Sequence, residues 1–95
     1  MIMTILEGTV ESMNWNKLIE AFRSGSSKKP KQMVEAFLTQ SKENPNTWRG
    51  ISVWHSKESL DEYRKSVEVP GGVLMFRTAG SEPTLTILDI VEYST

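Results

Sequence analysis

Residues 49–66, RGISVWHSKESLDEYRKS, constrain the fold more than any other segment, because an apolar strand ending in Trp54 runs without a break into a capped helix. Ser56 is placed to accept a hydrogen bond at the helix N-terminus, and Glu58 lies in the first turn, where a carboxylate interacts favourably with the helix dipole. We expect this helix to run to about Ser66. Its buried stripe consists of Leu60, Tyr63 and Val67.

The N-terminal third predicts a strand followed by an amphipathic helix. Residues 3–11 are rich in β-branched residues and alternate loosely, as an early strand does. Asn14 is placed to cap the next helix, and Ser24-Gly25 to end it. Four apolar residues at i, i+3, i+4 and i+7 form one face of that helix: Trp15, Leu18, Ile19 and Phe22.

Residues 33–55 predict a β-hairpin. The segment 33–41 alternates, and the turn residues Glu43-Asn44-Pro45-Asn46 separate it from the second strand. Both faces of the first strand are apolar, with Val34, Ala36 and Leu38 on one side and Met33 and Phe37 on the other.

The C-terminal third begins with the chain break Pro70-Gly71-Gly72. The apolar run 73–80 that follows fits a helix or a strand by periodicity. We expect a short helix, because Gly80 sits where a left-handed C-terminal cap belongs and because Val69, Val73 and Phe76 share a helical face. Residues 83–94 predict a final strand, with Leu85, Ile87 and Val91 on one face and Leu88 and Ile90 on the other.

The resulting order, βαββαβ, predicts one α+β domain over residues 1–95. The right-handed crossover rule folds it into a ferredoxin-like, four-stranded antiparallel sheet with helices on one face. Several strands are apolar on both sides, so the second face needs a cover. A second copy of the chain supplies it most simply, which predicts a homodimer whose two sheets form a dimeric α+β barrel.

Composition narrows the partners. The chain has no cysteine, which excludes disulfides and thiolate metal sites and favours a cytoplasmic location. Eleven basic residues against twelve acidic ones argue against a nucleic-acid partner. No apolar stretch approaches the ~20 residues of a membrane span. Lys28, Lys29 and Lys31 fit a solvated loop better than a phosphate patch. A single histidine supports no metal site, and no cofactor is expected.

Three segments resemble the antibiotic-biosynthesis-monooxygenase-like family, a group of small dimeric α+β barrels. They are ILEGTVES near the start, the joint of strand, Trp, any residue, Ser and acidic helix at 49–66, and FRTAGSEPTLTILDIVEY near the end. The resemblance implies a dimer and a ligand pocket in each protomer between sheet and helices. The implied pocket walls are 54–63 and 73–80.

The haem-degrading branch of that family is matched in scaffold only. Tyr63 falls where those relatives place a catalytic Trp, and Val73 falls where they place the haem-ligating His. Their first-strand Asn has no counterpart within residues 6–10. The resemblance therefore implies a protein that does not degrade haem.

Two functions follow as hypotheses. In the first, the protein is a cofactor-independent monooxygenase of a small aromatic or quinol-like molecule, with His55 as general base and Tyr63 as hydrogen-bond donor. The predicted apolar wall consists of Trp54, Met75 and Phe76. Arg77 either binds an anionic ligand or pairs with Glu82 or Asp89.

In the second hypothesis, the protein is a non-catalytic dimer that binds a small apolar or aromatic molecule or serves an accessory role. Trp54 and His55 also have purely structural interpretations, as a packing residue of the joint and as a solvent-facing strand end. Whether His55 points into the pocket separates the two functions.

Overall fold

A four-stranded sheet with three helices against one face forms the fold in the computed structural model, which describes residues 1–95. The strands are β1 (Ile2–Thr9), β2 (Met33–Gln40), β3 (Thr47–Trp54) and β4 (Thr84–Asp89). The helices are α1 (Trp15–Ser26), α2 (Lys57–Ser66) and α3 (Gly71–Thr78). The strand order is β2-β3-β1-β4, and every neighbouring pair is antiparallel. The ferredoxin-like α+β prediction is confirmed.

The helix ends follow local chemistry to different degrees. α2 begins as predicted, because the Ser56 hydroxyl accepts a hydrogen bond from the Ser59 backbone N–H at 3.0 Å, and the helix ends at Ser66. Asn14 holds the N-cap position of α1 without a side-chain cap bond. There the Trp15 indole N–H donates to the Val10 carbonyl at 2.9 Å. α1 passes through the predicted stop at Gly25 and continues to Ser26.

The ambiguous segment after the glycine pair is helical. α3 begins at Gly71, and Gly80 follows its C-terminus with a φ of +76°, the left-handed conformation that the sequence predicts there. Met75 and Phe76 are its buried residues. Both side chains approach the sheet at Gly50, where a Cβ atom would lie 3.3 Å from Met75 Cε and 3.5 Å from Phe76 Cε2. None of the three helices has the length and apolar character required to span a membrane.

The last strand is shorter than predicted. The sequence of residues 83–94 predicts one continuous strand, but β4 ends at Asp89. Asp89 pairs with Ile2, the first residue of β1, so the neighbouring strand ends there. The final hydrogen bond along this edge runs from the Ile90 N–H to the Met1 carbonyl at 3.0 Å.

A β-bulge changes the facing of β2. Met33 pairs with Trp54 and Glu35 with Val53, which leaves Val34 as the extra residue between them. Met33 therefore shares the helix-covered face with Trp54, whereas Phe37, opposite Ile51, lies on the open face. The prediction that Met33 and Phe37 share a face is wrong, because a bulge reverses the alternation.

The main core lies under α1 and α3. Its buried members are Val10, Leu18, Trp48, Met75, Phe76 and Ala79. Gly8 permits α3 to approach the sheet, since a Cβ atom there would lie 2.8 Å from Phe76 Cδ1. A second, smaller cluster of Ile2, Trp54 and Leu60 lies under α2, with Met33 and Tyr63 packed against it.

Candidate functional site

A cleft runs between the sheet and the helices in two connected parts. The first part, here called the Trp54 cavity, has a volume of about 370 Å³ and lies beneath α2 and α3. The second part, the Lys29 cavity, has a volume of about 670 Å³ and extends along α1 and β2. Both are within the range of about 300–1,000 Å³ common for small-molecule sites. The residues that line both parts are Leu6, Met33, Ser52, Tyr63 and Gly72.

Two aromatic side chains form one wall of the Trp54 cavity. The rings of Trp54 and Tyr63 lie with centroids 5.1 Å apart and planes tilted by 36°. The Trp54 indole N–H donates to the Thr4 hydroxyl at 3.0 Å in a buried hydrogen bond, which fixes the ring against the sheet. This arrangement presents a rigid aromatic surface to the cavity.

The Tyr63 hydroxyl joins two of the helices. It accepts a hydrogen bond from the Gly71 backbone N–H at 2.9 Å, so α2 is tied to the first residue of α3. A phenolic hydroxyl is both donor and acceptor. The Tyr63 proton therefore remains free for a ligand oxygen, as the predicted role of hydrogen-bond donor requires.

An ion pair closes the edge of the Trp54 cavity between α3 and β4. Arg77 Nε and Nη2 donate to the two carboxylate oxygens of Glu82, each at 2.9 Å. The hydrogen bond, reinforced by Coulomb attraction, raises the pKa of Arg77. Hydrogen bonding to Arg77 lowers the pKa of Glu82, although desolvation opposes this shift. The predicted pairing with Glu82 is confirmed, and Arg77 also lines the cavity.

His55 lies outside both parts of the cleft. It is exposed, follows the last residue of β3, and its backbone N–H donates to the Gln32 carbonyl at 3.3 Å. Successive strand residues point to opposite faces, and Trp54 already points into the cavity. The residue after it therefore points away. The assignment of His55 as general base stays a prediction that this placement does not support.

The remaining predicted wall residues divide between cavity and core. Met75 lines the Lys29 cavity, whereas Phe76 is fully buried in the main core and lines neither part. Phe76 points towards the sheet because Gly8 and Gly50 leave room for its ring there. Of the six predicted residues, the structure brings Trp54, Tyr63 and Arg77 together, with Met75 in the adjoining part.

Hydroxyl groups on the floor were missed by the sequence reasoning. Ser52 lines both parts of the cleft, and Thr4 lines the Trp54 cavity. Ser52 precedes Trp54 by two residues, so strand alternation already placed it on the same face. Thr4 is paired with Ser52 across β1 and β3, which only the register reveals.

The cleft supplies polar groups without a metal-binding cluster. No group of three or more His, Cys, Asp or Glu side chains comes together anywhere in the chain. What the Trp54 cavity offers a ligand is an aromatic wall, hydroxyl donors and acceptors on the floor, and two guanidinium groups, those of Arg64 and Arg77, among its lining residues. These groups can orient an aromatic molecule and stabilise a negative charge on its oxygen.

No protein-family model matches the sequence, and no curated protein does. Solved structures do match. A protein from Nitrosomonas europaea that is assigned as an antibiotic biosynthesis monooxygenase superposes with a TM-score of 0.70. Its sequence identity is 14%, and the superposition covers 97% of this chain and 100% of that one. One assigned to the same group from Deinococcus radiodurans gives 0.74 at 8% identity, over 100% and 97%.

SnoaB from Streptomyces nogalater, a cofactor-independent oxygenase, also superposes, with a TM-score of 0.69 at 14% identity, over 97% of this chain and 94% of that one. Such likeness identifies a class of fold: this chain has the antibiotic-biosynthesis-monooxygenase-like fold, as the sequence resemblance implied. At identities this low, the agreement concerns the fold alone.

Proposed function

We propose that the protein is a cofactor-independent monooxygenase that binds a small aromatic or quinol-like molecule in the Trp54 cavity. The observation that carries this proposal is the wall of Trp54 and Tyr63 facing hydroxyl groups on the sheet. A planar aromatic molecule can stack against the wall while its oxygen reaches a polar group. The activity printed for SnoaB, which shares the fold, supports the same reaction class.

The chemistry needs little from the protein beyond a site that binds and orients an anion. A methylene group flanked by aromatic rings loses a proton, and the carbanion gives electrons to dioxygen. One oxygen atom forms the new carbonyl and the other leaves as water, so the substrate supplies every electron. The protein contributes exclusion of water and stabilisation of the negative oxygen.

The residues of the cavity divide these tasks. The Tyr63 proton is donated to the substrate oxygen, because the Gly71 N–H already occupies an acceptor position of that hydroxyl. Arg77 uses two of its five N–H donors on Glu82, so the others remain for a bound oxyanion. Trp54 is 4% exposed and packs behind the half-buried Tyr63 ring, which supplies the stacking surface.

The proton acceptor is tested through His55, the only imidazole in the chain. With anthrone as the probe substrate, oxygen uptake is measured for the natural protein and for His55→Ala and Tyr63→Phe. A general base contributes roughly a hundredfold or more to kcat, so His55→Ala loses that factor if His55 is the base. Unchanged turnover shows that the substrate loses its proton to water, with Tyr63 and Arg77 stabilising the oxyanion.

The position of His55 favours a second candidate function. Because the imidazole is exposed and lines neither part of the cleft, the site is also suited to binding without turnover. In that case anthrone and related phenols raise the Tm of the protein, and no oxygen is consumed. Oxygen uptake that saturates with substrate and falls in Tyr63→Phe excludes this alternative.

We further propose that the protein is a homodimer through the open face of the sheet. Phe37 and Leu88 lie on this face and leave 47% and 44% of their surface exposed. Met3 and Ile51 lie between them on the central strands. A face of this kind on a solitary chain is an aggregation hazard, and a symmetric partner removes it. The lack of cysteine fits a cytoplasmic address for such a dimer.

Neighbouring residues of β4 provide a matched test of the dimer. Leu88 pairs with Met3 on the open face, whereas Ile87, 43% exposed, pairs with Thr4 on the helix-covered face. Leu88→Asp places a charge in the proposed interface, where burying it costs several kcal/mol. Sedimentation should give a dimer for the natural protein and for Ile87→Asp, and a monomer for Leu88→Asp. A monomeric natural protein at micromolar concentration contradicts the proposal.

A further inference from the structure

Two lysines border the larger part of the cleft. Lys28 and Lys29 follow the C-terminus of α1, and both line the Lys29 cavity. Lys31 belongs to the same loop but lines neither part of the cleft. The loop that the sequence suggests is merely solvated therefore places two of its three charges at a cavity.

The bulge in β2 holds one of these charges in place. Lys29 Nζ donates to the Val34 carbonyl at 2.8 Å, and Val34 is the bulged residue that pairs with no residue of β3. An ammonium group has three donors, so two remain for a ligand. A lysine anchored in this way loses less side-chain freedom on binding than a free one does.

No carboxylate of the chain neutralises the two lysines. The four ion pairs are Arg23 with Glu20, Arg49 with Glu7, Lys57 with Asp61 and Arg77 with Glu82. Glu35 is the acidic residue that also borders this cavity. Its pairing with Val53 puts its side chain on the open face of the sheet. The positive charge at the mouth of the cavity is therefore available to a ligand.

The interior behind the lysines is apolar. Leu6, Met33, Ala36 and Met75 line it, and Phe22 of α1 covers it. Lys28 and Lys29 are exposed, so they attract an anion through solvent, and the apolar interior adds affinity by burying the apolar body of the ligand. Charge at the mouth and apolar surface inside are complementary to an amphipathic anion.

We infer that the cleft selects aromatic or apolar molecules that carry an anionic group, which Lys28 and Lys29 hold. The inference rests on the proposed function, since it names the class of molecule that occupies the same cleft. The anionic group binds at the Lys29 cavity, and the apolar body extends towards Tyr63, which lines both parts.

Two fluorescent probes with one skeleton test the inference. 8-Anilino-1-naphthalenesulfonate carries an anionic group, and N-phenyl-1-naphthylamine is the same molecule without it. Titrations compare the natural protein with Lys28→Gln/Lys29→Gln and with Lys31→Gln, a control in the same loop away from the cavity. Circular dichroism checks that all variants are folded.

We expect the natural protein to bind the sulfonate more tightly than the neutral amine. The double variant should raise the Kd of the sulfonate about fivefold or more, which is the range of a partly exposed charge pair. It should leave the Kd of the neutral amine unchanged. Lys31→Gln should change neither value, and added salt should weaken binding of the sulfonate only.

Four results overturn the inference. Equal affinity for the two probes, or equal losses in the double variant and in Lys31→Gln, removes the anion site but leaves binding of neutral aromatics, and with it the proposed function. A double variant that binds the sulfonate as the natural protein does has the same meaning. Failure of both probes to bind contradicts this inference and the proposed ligand cleft together.

Discussion

The helix-covered face of the sheet is packed solid around Leu18 and Phe76, here called the packed end, and is hollow along the cleft, here called the hollow end. Under α1 and α3, Leu18 and Phe76 are fully buried. Under α2, the sheet and helix enclose the Trp54 cavity, and Leu60 is the only buried residue that α2 contributes. The same sheet thus supports a core and a candidate site. Stability and binding are therefore expected to depend on different residues.

Gly8 and Gly72 illustrate this difference, because a Cβ atom added at either position would lie 2.6 Å from the nearest side-chain atom. A Cβ atom at Gly8 would lie 2.6 Å from Ser81 Oγ and 2.8 Å from Phe76 Cδ1, both in packed surroundings. A Cβ atom at Gly72 would lie 2.6 Å from Leu6 Cδ1, the free end of a side chain that borders the cavity. The first contact cannot relax without moving the core, whereas the second can relax into empty space.

The largest effect is expected from Phe76→Ala, which deletes the ring at the centre of the packed end. Truncating a fully buried Phe lowers the free energy of unfolding by about 3–5 kcal/mol. Urea denaturation at fixed protein concentration measures this loss. The control is Leu74→Ala on the same helix, where the side chain is 50% exposed. Similar losses in both variants would mean that the two sides of α3 are not packed differently.

Gly8→Ala should have the next largest effect. The added methyl group forces Phe76 and Ser81 apart, and overpacking of this kind costs about 1–3 kcal/mol. The matched control is Gly25→Ala, since a Cβ atom there meets nothing within 4 Å and Ala favours the helix. A Gly8→Ala variant as stable as the natural protein would show that Phe76 and Ser81 can move apart without loss of packing.

Gly72→Ala should change stability little and binding more. Moving Leu6 Cδ1 aside destabilises the protein only slightly. Replacing Gly by Ala in a helix stabilises the protein by at most about 1 kcal/mol, which offsets that loss. The displaced Leu6 then occupies part of the cleft. We expect a weaker affinity for N-phenyl-1-naphthylamine at an unchanged Tm. A large loss of stability would mean that the hollow end is packed as tightly as the core.

The smallest effect is expected from Glu82→Gln at the edge of the cavity. Arg77 holds the pKa of Glu82 below its ordinary 4.5, so the pair stabilises the folded protein above about pH 4.5. That contribution disappears as the pH falls through the folded pKa. Both side chains are largely exposed, so the Tm difference at pH 7 should be slight.

Thermal melts from pH 7 to pH 3 check this sign, with Glu43→Gln in the hairpin loop as a variant of equal charge change. The natural protein and Glu82→Gln should converge in Tm at the acid end. A gap between the natural protein and Glu82→Gln that widens towards low pH would contradict the assignment.

Local signals in the sequence predicted what local chemistry decides. The start of α2 depends on Ser56 and the end of α3 on Gly80, and both were placed correctly. The end of β4 depends on where β1 begins, and the facing of Met33 depends on an unpaired residue in β2. Neither feature can be inferred from the sequence of the segment alone, because each depends on pairing with another strand.

The candidate site shows the same division. Trp54, Tyr63 and Arg77 lie on the joint and the short helix that the resemblance implied as walls. Phe76 is instead buried in the core, because Gly8 of β1 and Gly50 of β3 leave room for its ring. His55, however, follows Trp54 directly, and strand alternation alone already separates the two side chains.

The bulge at Val34 allows the mouth of the cleft to change by a deletion and not only by substitutions. Since Met33 and Glu35 already pair with consecutive residues of β3, deleting Val34 would leave every strand pair in register. It would also remove the carbonyl that anchors Lys29. Loss of a single codon would thus change how Lys29 is held at the mouth of the cleft and leave the strand pairing of the sheet unchanged. In descendants of this chain, a difference in length at this position would carry more information than most differences in residue type.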